Sequence, residues 1–289
     1  MPLGLKHYSL LTKIIKRFIL NPVAGAFSRT MRGLGFIDFP APPNSNLRKT
    51  SATGNLFHYY VSGARCYLPI ATMAESHGVN LRQGDLQILD FGCGVARLLL
   101  HFTRTYPNNR YYACDIDHTN VAFLQRHYPK VTSYTNEFTP PLDFPDASFD
   151  LIYSLSVFSH LNIDDSVIWL RDLARVVKPG GLLLLTTEGP TSLKWLCSDF
   201  GMDEASAMAT LGRDGHMFTS YENWQEAVGR TTTLPVASSM VGVERPYGSM
   251  ALSPEYIRHH WCTAGLTVLD IIEGIIDTRQ DLVVLRRDK

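Results

Sequence analysis

Between residues 86 and 187 short apolar runs alternate with amphipathic stretches, the pattern of strand–helix–strand units that build a parallel sheet. The runs Leu86–Asp90, Arg110–Cys114, Val131–Tyr134, Phe149–Ser154 and Leu182–Thr187 are predicted as strands. Leu266–Ile272 and Leu282–Arg286 are predicted to close the sheet. Helices are predicted over Ala96–Thr105 and His118–Tyr128, with Asp117 as the cap of the second. A further helix between the fourth and fifth strands is bracketed by its own chemistry. Asn162 can cap it, Asp164 and Asp165 occupy its first turn, and Arg171, Arg175 and Lys178 gather toward its end. That charge order suits the helix dipole, and Pro179-Gly180-Gly181 supplies the stop. The expected fold class is α/β, with helices on both faces of a mostly parallel sheet.

Two segments fall outside that rhythm. Near the start Leu10, Leu11, Ile14, Ile15, Phe18 and Ile19 recur at helical spacing, with Lys13, Lys16 and Arg17 opposite and Asn21-Pro22 as a stop. Residues 10–20 could therefore pack an apolar stripe on the core, or lie on an anionic membrane surface as a peripheral contact. Phe39–Asn46 reads as a linker. The other segment, Glu188 to about Leu252, has weak periodicity but carries Trp195, Phe200, Phe218, Tyr221, Trp224 and Tyr247. A stretch that long is rarely structureless unless it is functional or disordered, and its aromatics argue against a tail. The expected division is an N-terminal helical cap (1–85), a core (86–187), a substrate-lid insertion (188–252) and a C-terminal return to the sheet (253–289).

Composition narrows the function. Lys and Arg together number 27, as do Asp and Glu, so the basic surplus that phosphate binding requires is missing and nucleic acid is not the expected partner. The five cysteines show no paired spacing and are expected as small buried hydrophobes in a reducing compartment. No apolar run reaches membrane-span length and no signal peptide is evident, so a cytoplasmic location is expected.

The chemistry concentrates in Ile88-Leu89-Asp90-Phe91-Gly92-Cys93-Gly94-Val95-Ala96-Arg97. Glycines at a strand-to-helix turn let backbone approach a ligand where a Cβ would collide. A dinucleotide site would continue Gly-x-Gly-x-x-Gly for pyrophosphate, whereas the last position here is Arg97. Asp90, directly before the glycines, would repel pyrophosphate and can instead pair with an amino group. Asp115 ends the next strand, where a carboxylate can accept the hydroxyls of a ribose. Strand, acid, glycine turn, helix, strand and acid together point to S-adenosylmethionine (SAM) over a nicotinamide dinucleotide.

Residues 86–187 resemble class I SAM-dependent methyltransferases. ILDFGCGVAR, ACDID, PLDFPDASFDLIYSLSVFSHL and RVVKPGGLLLLTT follow that family's successive signatures in order. The likeness is nearest to a bacterial branch associated with glycan, lipid and natural-product pathways, which the upstream YYVSGARCYLP also resembles. Ala96 departs from it, since many members carry a third glycine there. The resemblance implies a Rossmann-like, seven-stranded sheet whose last strand is antiparallel. It implies a SAM site in which Asp90, Gly92, Cys93 and Gly94 hold the methionine end and Asp115 with Ile116 the ribose. Asn136 or Glu137 would lie near the adenine amino group, Ser154 near the sulfonium, and Tyr60 would come from the N-terminal segment.

A hydroxyl acceptor needs a base, and His160 in SVFSHL is the leading candidate, against a purely structural role for that histidine. His58, Tyr59, Tyr60, His216 and Glu188 are alternatives; the adjacent His259 and His260 face apart on a helix. The position after the fourth strand reads Ser154-Leu155-Ser156-Val157. It lacks the Asn/Asp-Pro-Pro-aromatic of many amino-methylating members and the acid of metal-dependent catechol methylators, so no metal is expected. The expected function is O-methylation of a small-molecule or glycan hydroxyl. The alternatives are a non-catalytic SAM-binding scaffold and a SAM-dependent non-methyl reaction such as cyclisation.

Overall fold

The computed structural model describes residues 38–51, 55–220, 248–262 and 265–288. The amphipathic stretch at residues 10–20 and the aromatics Tyr221, Trp224 and Tyr247 lie outside them.

Strands β1 (Gln87–Phe91), β2 (Arg110–Asp115), β3 (Val131–Thr135), β4 (Phe149–Ser154) and β5 (Val177–Glu188) form the parallel half of the sheet in the order β3-β2-β1-β4-β5. β8 (Leu266–Ile276) and β9 (Gln280–Arg287) complete it, with β9 antiparallel to both β5 and β8. The expected seven strands with an antiparallel last strand are thus present. Two more, β6 (His216–Ser220) and β7 (Gly248–Leu252), bring the sheet to nine strands among the described residues. They pair antiparallel with each other, and β7 joins the sheet at Ala251 opposite Glu188.

The central strands β1, β4, β5 and β9 are buried on both faces, which is why their runs read as nearly continuous apolar segments. Ile88, Leu151, Leu182 and Val284 point to the face covered by α2 (Leu56–Ser76), α3 (Leu99–Thr105) and α4 (His118–His127). Leu89, Ile152, Leu183 and Leu285 point to the face covered by α5 (Ile163–Val176) and α8 (Pro254–His260). In α5, Trp169, Leu170, Leu173 and Ala174 form the inward stripe, and each large side chain so buried contributes about 1.5–3 kcal/mol. Asn162 and Asp117 cap their helices as expected, accepting from Asp165 N–H and Thr119 N–H.

Four expectations change. The linker is ordered: α1 spans Asn44–Ser51, and Phe39 and Leu47 are buried in the core. The helix after the glycine turn begins at Leu99 rather than Ala96, because Ala96 sits at φ +67° and cannot continue a right-handed helix. The helix before β5 ends at Val176, so Lys178 and the expected stop Pro179-Gly180-Gly181 lie within the irregular start of β5. Cys262 is exposed, while the other four cysteines are buried. The insertion contains α6 (Leu193–Phe200) and α7 (Glu204–Asp214) before β6, and Leu193, Leu196, Leu211 and Ala251 form its small core. No helix among the described residues is long and apolar enough to cross a membrane.

Candidate functional site

The C-terminal ends of β1, β2 and β4 open onto a cavity of about 210 Å³, at the edge where ligands bind in open α/β sheets. Its floor is the glycine turn. Gly92 has φ +76°, and a Cβ there would fall 2.2 Å from Val157 Cγ2, so only glycine fits. The N–H groups of Gly92 and Cys93 both donate to Cys114 O, at 2.9 and 3.0 Å, tying the turn to β2. From the other side the buried Tyr59 donates its hydroxyl to Val95 O at 2.7 Å.

Asp90, Gly92, Cys93 and Gly94 all line this cavity. Asp90 is buried, and its Oδ2 has no hydrogen-bond partner. Burial pushes its pKa up to about 8; the nearby Tyr153 hydroxyl and Arg97 cation oppose that rise. The Tyr153 hydroxyl and Arg97 Nε are likewise buried without partners. Leaving one such group unsatisfied costs on the order of 1–3 kcal/mol, so a ligand bearing complementary charge is favoured here.

Asp115 reaches the cavity from the end of β2. Its Oδ2 accepts from Gly94 N–H at 2.7 Å, and its Oδ1 from Asp117 N–H at 2.8 Å and Asn120 Nδ2 at 3.3 Å. With about four acceptor positions on a carboxylate, roughly one remains for a ligand hydroxyl unless an internal bond yields. Burial raises its pKa while these bonds hold it down. Asn120 is fixed in turn by Asn46 of α1, which donates to its Oδ1 at 2.8 Å. The N-terminal segment thereby braces Asp115, a role with no signature in the sequence. Ile116, exposed, and Asn136 also line the cavity. Glu137 is solvated and off its wall, so of the pair Asn136 and Glu137 only the amide faces the cavity.

After β4 the chain turns sharply. Ser154 is fully buried and spends its hydroxyl on Phe91 O at 2.9 Å, so it does not face the cavity. Leu155, Ser156, Val157, His160 and Leu161 form that wall instead. Ser156 has φ +61°; its N–H donates to Thr186 Oγ1 and its hydroxyl to Gln280 Oε1, at 2.7 and 3.0 Å. Those bonds hold a conformation that side chains rarely adopt. His160 Nδ1 lies 2.8 Å from Gly248 O. A carbonyl only accepts, so Nδ1 carries the proton and Nε2 of the neutral ring is the basic atom. Burial lowers the His160 pKa, partly offset by the Gly248 bond.

The other candidates are dispersed. Tyr60 is off the cavity, stacked on Phe39 at 5.2 Å and beside His101 at 4.9 Å. It is the neighbouring Tyr59, one position along α2, that touches the glycine turn. His58 is exposed at the start of α2, and His216 sits on β6 beside Tyr256. Glu188 is buried at the end of β5 with Arg279 3.7 Å away. His259 and His260 are exposed on α8, and no cluster of metal-ligating residues occurs among the described residues.

Residues 89–185 match the family described as "Methyltransferase domain". The chain is 28% identical over 174 residues to malonyl-[acyl-carrier protein] O-methyltransferase of Hahella chejuensis, covering 58% of this chain and 60% of that protein. It is 28% identical over 107 residues to tRNA N(3)-methylcytidine methyltransferase trm141 of Schizosaccharomyces pombe, covering 34% of this chain and 43% of that protein. The chain thus spans about half the length of these curated relatives. A solved SAM-dependent methyltransferase from Methanosarcina mazei superposes with a TM-score of 0.51 at 15% identity, over 72% of this chain and 95% of that one, and shares the fold. The fold is that of the Rossmann-like class I methyltransferases, and the matched domain implies S-adenosylmethionine as the cofactor.

Proposed function

We propose that this chain is a SAM-dependent methyltransferase that O-methylates a hydroxyl of a small molecule or glycan, without a metal. The observation that carries the reading is one cavity holding both an unsatisfied acidic anchor, Asp90, and an oriented imidazole, His160. When bound, the cofactor supplies a methyl group on a sulfonium, and displacement passes the carbon–sulfur electron pair to sulfur. Asp90 with the backbone of Gly92, Cys93 and Gly94 would hold the methionine end. Asp115, Ile116 and Asn136 would hold the adenosine. His160 Nε2 would take the acceptor hydroxyl's proton as its oxygen attacks the methyl carbon. Fixing donor, acceptor and base in one line is the larger part of the task, since alignment alone is worth effective molarities of about 10⁵ M or more.

The acceptor side would be built by the N-terminal cap and the 188–252 insertion, because the core's cavity is lined by cofactor-type residues. Balanced charge favours a neutral acceptor over nucleic acid, although one relative named above acts on tRNA by its name. Location in the cytoplasm is part of the same reading. Residues 10–20 would either complete the core or rest on a membrane, where a lipid-linked acceptor would be met.

The test is SAM carrying a labelled methyl group, incubated with fractionated glycans, lipids, proteins and RNA. Label in a glycan or small-molecule fraction, with a mass gain of one CH₂ unit, supports the reading. Strong labelling of tRNA would overturn the acceptor class. SAM binding without any transfer would favour a scaffold, and product without the mass gain a reaction such as cyclisation.

A further inference from the structure

The turn after β4 carries the wall residues Leu155, Ser156, Val157 and His160, and its backbone is an unfavourable one. Ser156 sits at φ +61°, and the next side chain, Val157, has its Cγ2 in the space that a Cβ at Gly92 would take. Serine does not prefer that conformation, so the shape must be held from outside the turn. Thr186 and Gln280, on β5 and β9, hold it. Gln280 is 124 positions from Ser156 in the chain. Its Oε1 accepts from the hydroxyls of Ser156 and Thr186, each at 3.0 Å, and its Nε2 donates to Ser159 Oγ at 3.3 Å. The direction of these bonds is determined. Thr186 Oγ1 already accepts from Ser156 N–H at 2.7 Å, so its own proton is left to donate, and only the carbonyl end of the amide can receive it.

One side-chain amide thus grips the turn twice, at Ser156 where the backbone is strained and at Ser159 directly before His160. Ser159 is fully buried, and its carbonyl accepts from Met250 N–H at 2.8 Å. β7 therefore holds the main chain here while Gln280 holds the side chains. Only an amide offers an acceptor and a donor side by side in one plane. We propose that Gln280 is a positioning residue for methyl transfer, clamping the turn after β4 in its left-handed conformation and so aiming His160 Nε2 at the acceptor hydroxyl. The inference rests on His160 as the base, and it gives a role to a residue that lies off the cavity wall.

NMR of the full chain labelled with ¹⁵N-histidine tests it without an acceptor, the His160 signals being those missing from His160→Gln. The wild type should show the Nδ1–H tautomer and titrate below the ordinary histidine range, because the ring is buried and bonded to Gly248 O. Gln280→Leu, similar in size but without the amide, should bring in the second tautomer and move the midpoint up toward the ordinary value of about 6.5. A folded Gln280→Leu with unchanged His160 signals would overturn the proposal. Glycine adopts a positive φ unaided, so adding Ser156→Gly to Gln280→Leu should return the signals toward wild type. No return would assign Gln280 to general packing and also overturn it. Should Gln280→Leu not fold, Ser156→Ala and Ser156→Gly decide the matter. Both lose the bond to Gln280, but only alanine is strained at this φ, so alanine should move the signals and glycine leave them. Identical spectra for the two would overturn the clamp. Moved signals in Gln280→Leu, together with wild-type transfer of labelled methyl by His160→Ala, would instead count against the base reading alone.

Discussion

His160 Nδ1 donates to Gly248 O across 2.8 Å, joining the loop after β4 to a strand contributed by the insertion. Two main-chain bonds reinforce the junction, from Gly248 N–H to His160 O and from Met250 N–H to Ser159 O, at 3.3 and 2.8 Å. The insertion thus fixes the tautomer and direction of the imidazole in addition to flanking the cavity. His160→Ala is expected to lower kcat by about 10²–10⁴-fold, the usual contribution of a positioned base. The fold should persist. Because burial lowers the His160 pKa, the wild-type rate should rise with pH through a value below the ordinary histidine range and be flat at neutrality. A profile rising only above pH 7 would assign the proton transfer to another group.

Asp90 makes cofactor binding proton-linked. In the free protein its pKa is pushed up to about 8, so near neutrality it is mostly protonated. An ammonium placed against it favours the ionised form, so binding near neutrality should release a proton from Asp90. Affinity should therefore rise with pH and level off above about 8. Titrations in buffers of different ionisation heat measure that proton directly. Asp90→Asn should weaken SAM and abolish the slope.

Asp281 is fully buried, accepts from Gly274 N–H at 2.8 Å, and leaves Oδ2 unpartnered. Burial chiefly raises its pKa from 3.8 to about 6. The folded state then holds a proton that the unfolded state has released between those values. This contribution is present below the lower value and lost as pH climbs toward the higher, by roughly 2–3 kcal/mol. Asp281→Asn should raise the melting temperature at pH 8 more than at pH 5. An equal change at both would mean the carboxylate's charge is not what matters.

The parallel half of the sheet was legible because its central strands are doubly buried apolar runs, and β1, β2 and β5 end at an acid or a glycine. The boundaries of β4 coincide with Phe149–Ser154, and α5 carries its own cap. The β6–β7 pair was not legible, since its strands are separated by residues 221–247 and nothing local specifies the pairing. α7 buries only Ala207 and Leu211, too thin a stripe to declare itself. The glycine turn and both acids were visible as a motif. Tyr59 and Tyr60 could be separated only by helix phase, in which Tyr59 joins Gly63, Cys66 and Ile70 on the inward face. Arg97 was read only as the absence of a glycine, because its place on the cavity wall depends on the turn's conformation in three dimensions.

Turnover should not require a divalent ion. The end of β4 offers the buried Ser154 hydroxyl, already donated to Phe91 O, in place of an acid. The described residues also contain no group of metal-ligating side chains. EDTA should leave the rate unchanged; loss of activity restored by Mg²⁺ would contradict this.

The acceptor is expected to meet the insertion at Trp195. This indole is 45% exposed on α6, although its helix is anchored by the buried Leu193, Leu196 and Cys197. Lys194 Nζ and Arg279 Cζ lie 5.3 and 6.0 Å from its ring centre, which orients an otherwise free side chain. An exposed, oriented aromatic suits the apolar face of a sugar or ring system. It is also connected to the cavity, because Arg279 precedes Gln280, whose Oε1 accepts from the wall residue Ser156 at 3.0 Å. Trp195→Ala should raise the acceptor KM about tenfold, a loss of the order of 1.4 kcal/mol. SAM affinity and kcat should change little. Deleting Gly212–Phe218 would be a poorer test, since β6 braces β7 and β7 holds His160, so base and acceptor contact would be lost together. An unchanged KM for Trp195→Ala would move the acceptor site away from α6.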